Sequence, residues 1–412
     1  MGLQFQSAGE SHGKGCLALL QGLPRGCPYD AAFVSRQLAR RQGGYGRGGR
    51  QKIERDEAEV LSGVRRGKLL GSPLTLWIPN RDSRLEEAPE LGRPRPGHVD
   101  LAGCLRFEDR DIRASLERAS ARETAARVAA GAVAQTFLRE LGVSVLGRVV
   151  GIGALDVQGE GPTPRATRDL EAWRERVAAS PLGLALPEPE RSGLEAALKS
   201  HIDEARKAGD SLGGRIEVLA VGVPAGIGSF AQWDERLDAR LAAALMSIPA
   251  IKGVEVGLGF EASRRRGSEV HDPILPGSPE NKAVPLRGSN RAGGLEGGVA
   301  NGEPIVLRLA KKPIATLKRG LPSVDLETGE AAGSAFERSD VCAVPAAAVV
   351  AEAMVALVLA DACLTFFGGA SLDVVQERAA RHRERLGRLF GGPRSEAERD
   401  PDWGGGSPQE RP

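Results

Sequence analysis

The chain has 412 residues, of which 27% are charged and 41% are hydrophobic, and its formal net charge is +2. A disordered chain combines low hydrophobicity with high net charge, so this composition excludes one and indicates a folded protein. The weak net charge gives no support for a nucleic-acid partner, and any anion-binding site must be a local cluster of cations.

The first 141 residues predict strands and helices separated by Gly-rich or Pro-rich loops. Pro94 and Pro96, on either side of Arg95, exclude a helix there. In chain order, the predicted elements are strands within 1–22 around the GESHG loop at 9–13, a helix over 30–41, a loop over 42–50, strands within 58–79, a Pro-rich segment over 80–98 and a long helix over 110–141.

The rest of the chain mixes strands and helices without the alternation of a βαβ array. Ser192 is placed to cap the helix that follows it. The predicted elements are a strand over 143–155, helices over 168–178 and 192–208, a strand over 213–226, a helix over 234–246, a strand over 253–260, a Gly-rich connection over 276–303, strands over 304–310 and 323–326, and helices over 345–367 and 371–390. We therefore expect an α+β fold in a single catalytic domain over 1–390, followed by a flexible tail over 391–412.

One apolar segment, residues 346–367, approaches the length that spans a bilayer. Glu352 and Asp361 lie inside it, and a carboxylate at bilayer depth is costly. The segment over 119–138 is also Ala-rich and apolar nearly all round, so we expect both helices to be covered on all faces in the core. The sequence therefore predicts no membrane partner.

The spacing of cysteine and histidine does not indicate a metal site or a disulfide framework. None of the five cysteines lies in a Cys-x-x-Cys pair, and no two histidines have the His-x-x-x-His spacing. The N-terminus leads directly into Gly-rich sequence without an apolar signal segment. We therefore expect a cytoplasmic protein without a metal ion.

Cations gather in loops and at one helix end, where they fit a multiply anionic ligand, although each alone is more often solvated. GYGRGG at 44–49 does not open a helix as a nucleotide-binding loop does, and it is a single copy of the Arg-Gly-Gly type that binds RNA when repeated. The cations are Arg41, Arg47, Arg50 and Lys52; Arg93 and Arg95; Arg118 and Arg122; and Arg287, Arg291, Lys311, Lys312 and Arg338.

Three loop residues have side chains suited to proton transfer. Because histidine is the usual proton donor near neutral pH, His12 and His98 are either proton donors or incidental loop residues. Asp340 is either a base or one half of a structural ion pair. The pattern of residues alone leaves these alternatives open.

Nine segments spread along the chain form one ordered set: AGESHG (8–13), RRQGGYGRGGR with KIERDEAEVLSGV (40–64), RPGHVDLAG (95–103), ERASARETAARVA (117–129), GDSLGG (209–214), SIPAIKGVEVGLGF (247–260), NRAGGLEGGVANGEPI (290–305), KKPIATL (311–317) and ERSD (337–340). Together they resemble the chorismate synthase family over roughly residues 3–368. The resemblance implies a sandwich in which long central helices lie between antiparallel β-sheets.

The resemblance also implies an activity. The family converts 5-enolpyruvylshikimate 3-phosphate to chorismate by a 1,4-elimination, in which phosphate leaves C3 and a hydrogen leaves C6. Reduced FMN is required although there is no net oxidation, and its electrons come from NADPH or from a separate flavin reductase. The family further implies a homotetramer that acts in aromatic amino acid biosynthesis.

Site residues are implied by the same resemblance. His12 is the implied acid toward the departing phosphate, with Ser11 beside it, and His98 is the implied proton donor to the reduced flavin. Asp340 would assist the flavin N5 in removing the C6 proton, and Ser120 would relay protons. The implied cofactor or anion contacts are Arg41, Arg47, Arg118, Ala119, Ser120, Pro249, Ala250, Gly297, Lys312, Pro313, Ile314, Ala315, Thr316 and Arg338.

The chain departs from the family pattern in a few places. The segment between Asn80 and Arg95 is shorter than the family's, Arg106 stands where Lys is common, and Ser289 stands where Thr is common. Two rival functions remain: a flavin-binding protein without lyase activity, and an Arg-Gly-Gly nucleic-acid binder.

Overall fold

Two antiparallel β-sheets enclose a pair of apolar helices in the computed structural model, which describes residues 2–48, 55–157, 163–277, 285–337 and 340–390. The strands are β1 (Gln4–Ala8), β2 (Gly15–Gln21), β3 (Glu59–Ser62), β4 (Val64–Arg65), β5 (Lys68–Leu69), β6 (Leu74–Pro79), β7 (Ser144–Ile152), β8 (Leu155–Asp156), β9 (Gly214–Val221), β10 (Ile251–Val256), β11 (Ile274–Leu275), β12 (Leu286–Arg287), β13 (Leu295–Glu296), β14 (Val299–Ala300), β15 (Ile305–Lys311), β16 (Pro322–Val324) and β17 (Ala331–Gly333). The helices are α1 (Ala31–Gln42), α2 (Asp100–Phe107), α3 (Arg113–Ala119), α4 (Thr124–Glu140), α5 (Thr167–Ala179), α6 (Glu190–Lys207), α7 (Leu237–Met246), α8 (Gly267–Val270), α9 (Val344–Phe367) and α10 (Leu372–Phe390).

The two large sheets have the strand orders β1-β2-β6-β3 and β10-β15-β9-β7-β8, and neighbouring strands run antiparallel throughout. Strand β7 is covered on both faces, which explains its nearly unbroken apolar sequence. Val145 faces the main core, whereas Leu146 packs in a second cluster with Leu170 and Trp173 of α5. The second sheet therefore carries a helix on its outer face as well.

Helices α4 and α9 form the centre of the molecule. Helix α4 lies on β2 and β6 of the first sheet, α9 lies on β7 and β9 of the second, and the two helices pack against each other. A helix that is apolar all round must be covered on all faces, and this arrangement covers both. The predicted α+β fold, with long helices between antiparallel sheets, is confirmed.

Helix α9 is long and apolar enough to cross a membrane, but 89% of its apolar window is buried inside the structure. Its Glu352 is fully buried and accepts hydrogen bonds from Arg40 Nη1 at 3.1 Å and from Gly147 N at 2.9 Å. Burial alone would raise the pKa of Glu352, but the charges of Arg40 and Arg174 outweigh it and hold the pKa below its usual range. The predicted core helix is therefore fastened to its neighbours by a buried charge.

The predicted helix over 110–141 is wrong as a single element, because the chain breaks it at Ser120. Ser120 is extended, with φ −62° and ψ 140°, and its Oγ accepts a hydrogen bond from Arg122 N at 3.3 Å. A serine side chain that takes over a backbone donor competes with the helix, so α3 ends and a 3₁₀ turn at Ala121–Glu123 leads into α4.

The predicted cap of the helix over 192–208 is also wrong. Helix α6 begins at Glu190 after Pro189, and the Ser192 hydroxyl instead donates to Glu188 Oε2 at 2.6 Å. Pro189 is the residue directly before the helix, where its missing N–H costs no helical hydrogen bond because the first backbone donors have no partner within the helix. The other predicted helices and most strands appear within a few residues of their expected limits, but the strand predicted over 213–226 ends at Val221, and the predicted connection over 276–303 contains the short strands β12, β13 and β14. Residues 49–50 of the predicted loop, 278–284 of the connection and the tail over 391–412 lie outside the described residues.

The closeness of α4 and α9 can be tested at Gly131. A Cβ at this position would lie 2.4 Å from the Cβ of Ala353, so the helices would have to separate. We expect Gly131→Ala to lower the free energy of unfolding by about 1–3 kcal/mol, as overpacked cores do, in urea titrations. Gly193→Ala is the matched control, since Gly193 lies in helix α6 with nothing within 4 Å of its added Cβ. The control should gain about 0.5–1 kcal/mol, and a similar gain at Gly131 would contradict the close approach.

Candidate functional site

The loop at 9–13 is held by the side chain of Asn80, which directly follows β6. Its Nδ2, with two N–H donors, lies within hydrogen-bonding distance of the carbonyl oxygens of Glu10, Ser11 and Gly13, at 3.0, 3.1 and 2.8 Å. One amide that serves three carbonyls fixes the path of the backbone on both sides of His12. The conformation of the loop is therefore fixed by contacts within the protein.

The His12 ring lies against a buried carboxylate. Its Nδ1 lies 2.9 Å from both Oε1 and Oε2 of Glu117, and the backbone N–H of His12 donates to the same Oε2 at 2.9 Å. Glu117 is only 1% exposed. Burial would raise the pKa of Glu117, but hydrogen bonds from His12 and Arg113 and the charge of His12 keep it below its usual range.

Ser11 and Ser120 complete this group, which we call the His12 cluster (Ser11, His12, Glu117 and Ser120). Ser120 Oγ lies 3.1 Å from Ser11 Oγ, and Ser11 N donates to the carbonyl of Glu117 at 3.0 Å. Arg118, next in the chain, is exposed and donates to the carbonyl oxygens of Ser7 and Gly9. The break after α3 therefore brings together three of the residues predicted for catalysis.

Arg41 and Arg122 meet a protein carboxylate. Arg41 Nη2 lies 2.5 Å from Asp56 Oδ2, and Arg122 Nη1 contacts the other oxygen of Asp56. Arg122 Nε also donates to Asn80 Oδ1 at 2.7 Å. Burial raises the pKa of Asp56, and the two arginines lower it by more. Both arginines are nearly fully buried, so their role is to stabilise the structure beneath the site.

A second group lies around His98, and we call it the His98 cluster (Arg95, His98, Asp100, Lys312 and Thr316). His98 Nδ1 lies 2.5 Å from Asp100 Oδ1, and Arg95 Nε donates to Asp100 Oδ2 at 2.8 Å. Burial would raise the pKa of Asp100, but the hydrogen bonds from His98 and Arg95 hold it far below its usual range. Asp100 therefore orients the His98 ring through Nδ1.

The segment at 312–316 closes onto the His98 cluster. Arg95 Nη1 donates to Thr316 Oγ1 at 2.9 Å, and Lys312 Nζ donates to the carbonyl of Gly97. Lys312 N donates to the carbonyl of Ala250 at 2.9 Å, which adds the predicted pair Pro249 and Ala250. Ala250 has a positive φ of 70°, a left-handed conformation that is unusual for a residue with a Cβ.

Arg47 and Asp340 form a third group. Arg47 Nη1 lies 2.7 Å from Asp340 Oδ2, and Gly48 N donates to Asp340 Oδ1 at 2.6 Å. Burial lowers the pKa of Arg47, and Asp340 partly offsets this effect. Lys311, at the end of β15, is buried beside this pair, and burial lowers its pKa too.

Short connections join the three groups. Lys311 and Lys312 are adjacent residues that face the Arg47–Asp340 pair and the His98 cluster respectively. Arg113 Nη1 lies 3.3 Å from Glu117 and 3.5 Å from Glu337, three residues before Asp340. The predicted catalytic residues His12, His98 and Asp340 thus belong to one connected part of the molecule.

Several predicted contacts lie apart from these groups or outside the description. Gly297 lies in the β13–β14 turn near the start of α7, whereas Pro249 and Ala250 follow its end, and ten helical residues span roughly 15 Å. Arg287 is paired with Glu296 at 2.6 Å, so its grouping with Lys312 is not supported. Arg338, Arg50 and Lys52 lie outside the described residues.

Three acids and one amide hold the predicted site residues, and none of the four was predicted as part of the site. They are Asp56, Asp100, Glu117 and Asn80. The His-x-Asp spacing of His98 and Asp100 was an available signal for one of them. For Asp56 and Glu117 the partners are distant in sequence, and a helix start rich in charge looks like a solvent-exposed face.

The residues present fit an anionic cofactor. Burial and the neighbouring Lys252 both lower the pKa of Lys312, and two like charges held near each other favour an anion between them. The exposed Arg118, beside the His12 cluster, adds a second cation of the kind that binds a phosphate. Among the described residues, no group of His, Cys, Asp and Glu could hold a metal ion.

The chain is similar to proteins of one family. The family model described as Chorismate synthase matches residues 3–364. A protein named chorismate synthase from Desulforudis audaxviator is 52% identical over 396 residues, covering 93% of this chain and 98% of that protein. One of the same name from Moorella thermoacetica is 53% identical over 395 residues, covering 93% and 99%. A solved structure titled "Crystal Structure of Chorismate Synthase" is 42% identical with a TM-score of 0.76, covering 94% of this chain and 99% of that one.

The buried carboxylate of Asp56 gives a pH-dependent prediction. Since its folded pKa lies below its ordinary value of 3.8, its charge stabilises the fold above that value, and the contribution is lost as the pH falls through the folded pKa. We expect Asp56→Asn to lower the free energy of unfolding by about 3 kcal/mol near neutral pH, with a smaller difference below about pH 4, in urea titrations.

Asp156→Asn is the control for this experiment, because Asp156 pairs with Arg215 while its side chain is 60% exposed. Its effect should stay within about 1 kcal/mol at any pH. A difference between wild type and Asp56→Asn that is the same in acid as at neutral pH would contradict the role given to the Asp56 charge.

Proposed function

Because the chain belongs to the chorismate synthase family, we propose that it converts 5-enolpyruvylshikimate 3-phosphate to chorismate by 1,4-elimination of phosphate, with reduced FMN. The observation that carries the proposal is the His12 cluster, in which a histidine and two serine hydroxyls meet in a loop beside buried arginines. A proton donor held in place beside two hydroxyl groups is suited to protonate a departing phosphate.

The charges of the substrate fit the cations of the site. The substrate carries two carboxylates and one phosphate, and the site offers Arg47, Arg118 and Lys312 on three different segments. Arg41 is buried and forms an ion pair with Asp56, so we propose that it stabilises the neighbouring loops and does not contact the substrate. The net charge of +2 leaves this attraction local to the site.

Each predicted catalytic residue has a role in this proposal. His12 protonates the phosphate as it leaves C3, and Ser11 and Ser120 relay protons beside it. Asp340 assists in the removal of the C6 hydrogen, while its hydrogen bonds with Arg47 and Gly48 hold it in place. His98, oriented by Asp100, donates a proton toward the cofactor.

We assign the cofactor to the cations and backbone donors near the His98 cluster. Reduced FMN, when bound, would supply electron density to the breaking C–O bond. The residues proposed to hold it, directly or through neighbours, are Arg41, Arg47, Arg118, Ala119, Ser120, Pro249, Ala250, Gly297, Lys312, Pro313, Ile314, Ala315, Thr316 and Arg338. NADPH or a separate flavin reductase would provide the electrons.

We further propose that the protein acts in the cytoplasm as a homotetramer, with residues 1–390 as its single catalytic domain. Gly297 lies about one helix length from Pro249 in the same chain, as expected if a neighbouring copy completes the site. Phe230 and Trp233, in the loop before α7, are 81% and 79% exposed. Large apolar side chains at such exposure fit a surface that another copy covers.

The central experiment follows phosphate release and chorismate formation under anaerobic conditions, with FMN held either oxidised or reduced by dithionite. We expect turnover only with reduced FMN, because an oxidised ring cannot lend electron density. Equal rates with both flavin states would contradict the proposal. Flavin binding without phosphate release would favour a flavin-binding protein without lyase activity, and a salt-dependent RNA shift would favour a nucleic-acid binder.

Asp340→Asn tests the proposed role of this carboxylate in the removal of the C6 hydrogen. Asn keeps the size and can accept from Gly48 N, so reduced FMN and substrate should still bind, while kcat falls by about 10²-fold or more. Binding is measured by anaerobic flavin titration and KM, and turnover by chorismate formation. Asp169→Asn, which loses an exposed ion pair with Arg168 in α5 on the outer face of the second sheet, is the control. Full activity in Asp340→Asn would leave this residue with the structural role only.

A further inference from the structure

We propose that Glu117 is the positioning residue for His12: its buried carboxylate sets the direction of the ring and the nitrogen that carries the proton. This inference deepens the proposed function and rests on it for the role of His12 as an acid. Glu117 itself does not need to touch the substrate, because it acts through the ring.

Different contacts fix the His12 ring and the backbone of the loop that carries it. Asn80 holds three carbonyl oxygens of the 9–13 loop, and Ser11 N bonds to a backbone carbonyl, so the path of the loop does not depend on the Glu117 side chain alone. The ring Nδ1, in contrast, has both carboxylate oxygens of Glu117 at 2.9 Å. Loss of the carboxylate should therefore free the ring more than the backbone.

The contact also determines which nitrogen is used. A carboxylate only accepts hydrogen bonds, so Nδ1 must carry a hydrogen whenever this contact is made. The nitrogen that gives up a proton to a leaving group is then Nε2, on the far side of the ring. After the transfer, the neutral ring keeps the Nδ1–H form and is ready to be protonated again at Nε2.

A second carboxylate, that of Asp82, could also accept a hydrogen bond from the His12 ring. Asp82 Oδ2 lies 3.8 Å from His12 Nε2, beyond hydrogen-bonding distance, and its side chain is 17% exposed. If the ring instead donated its hydrogen to Asp82 from Nε2, the neutral ring would be in the Nε2–H form. The two possibilities differ in an observable way that does not depend on catalysis.

Glu117 is itself well supported for this task. Arg113 Nη1, one helical turn earlier in α3, also donates to Glu117 Oε1 at 3.3 Å. The carboxylate belongs to the last turn of α3, directly before the break at Ser120. The break thus places Glu117 beside His12 and Ser120 beside Ser11.

The first measurement is ¹⁵N NMR of the histidine rings in protein labelled at its five histidines, with His12→Asn used to assign the His12 signals. We expect the wild-type His12 ring, where neutral, to be in the Nδ1–H form, and the Glu117→Gln ring to become a mixture of both forms. An Nε2–H form in the wild type, or an unchanged ring in Glu117→Gln, would overturn the proposal. This outcome is independent of whether the protein catalyses the elimination.

The second measurement is kinetic. Glu117→Gln should lower kcat by about 10²-fold, the lower end of what a general acid contributes, with KM and reduced-FMN binding unchanged. In a His12→Ala background the same substitution should add little, since residues that act as a unit are not additive. Additive losses, or an equal rise in KM, would indicate a structural role and overturn the proposal.

Two further variants keep the test decisive. Glu217→Gln is the matched control, a buried glutamate paired with Arg148 and Arg308 in the second sheet, and its kcat should match the wild type. If Glu117→Gln does not fold, Glu117→Asp replaces it: the retracted carboxylate should lower kcat at unchanged KM, and an unchanged kcat would overturn the proposal. If the wild type releases no phosphate, the proposed function fails, and the NMR result still decides the role of Glu117.

Discussion

The candidate site depends on one buried carboxylate, that of Asp56, because three separate parts of the chain meet there. Arg41 reaches it from the end of α1 and Arg122 from the turn before α4. Arg122 in turn fixes Asn80, which holds the loop that carries His12. Without the carboxylate, two guanidinium groups would lie buried near each other with no compensating charge, so the anion is required before the site can form.

The interruption at Ser120 explains how one short segment serves both sides of this arrangement. In a continuous helix, residues five positions apart project about 140° from each other. The extended Ser120 removes this restriction, so Glu117 reaches the His12 ring while Arg122 reaches Asp56 and Asn80. Glu117 and Arg122, five residues apart in the sequence, therefore act as two separate anchors for the same loop.

The sequence predicted the framework of the fold better than the contacts within the site. A continuous Ala-rich apolar composition was sufficient to predict that α4 and α9 are buried core helices, although the start of α4 was predicted too early. Motif resemblance placed His12, His98 and Asp340 in one region. The acids that orient them were missed because Asp56 and Arg122 are 66 residues apart, and periodicity carries no information about such pairs. The break at Ser120 was missed because the residues on both sides have good helix propensity.

The buried charge of α9 has a consequence for the chain before it folds. A stretch of membrane-spanning length exposed during synthesis presents the same apolar surface to a bilayer as to its own core. On insertion scales, a carboxylate near the centre of a spanning helix costs about 3 kcal/mol, and this helix carries Glu352 and Asp361. The folded core returns hydrogen bonds and ion pairs to both acids, whereas lipid offers none. The acids that fasten the helix to its neighbours therefore also bias the newly made chain toward its own core and away from the membrane.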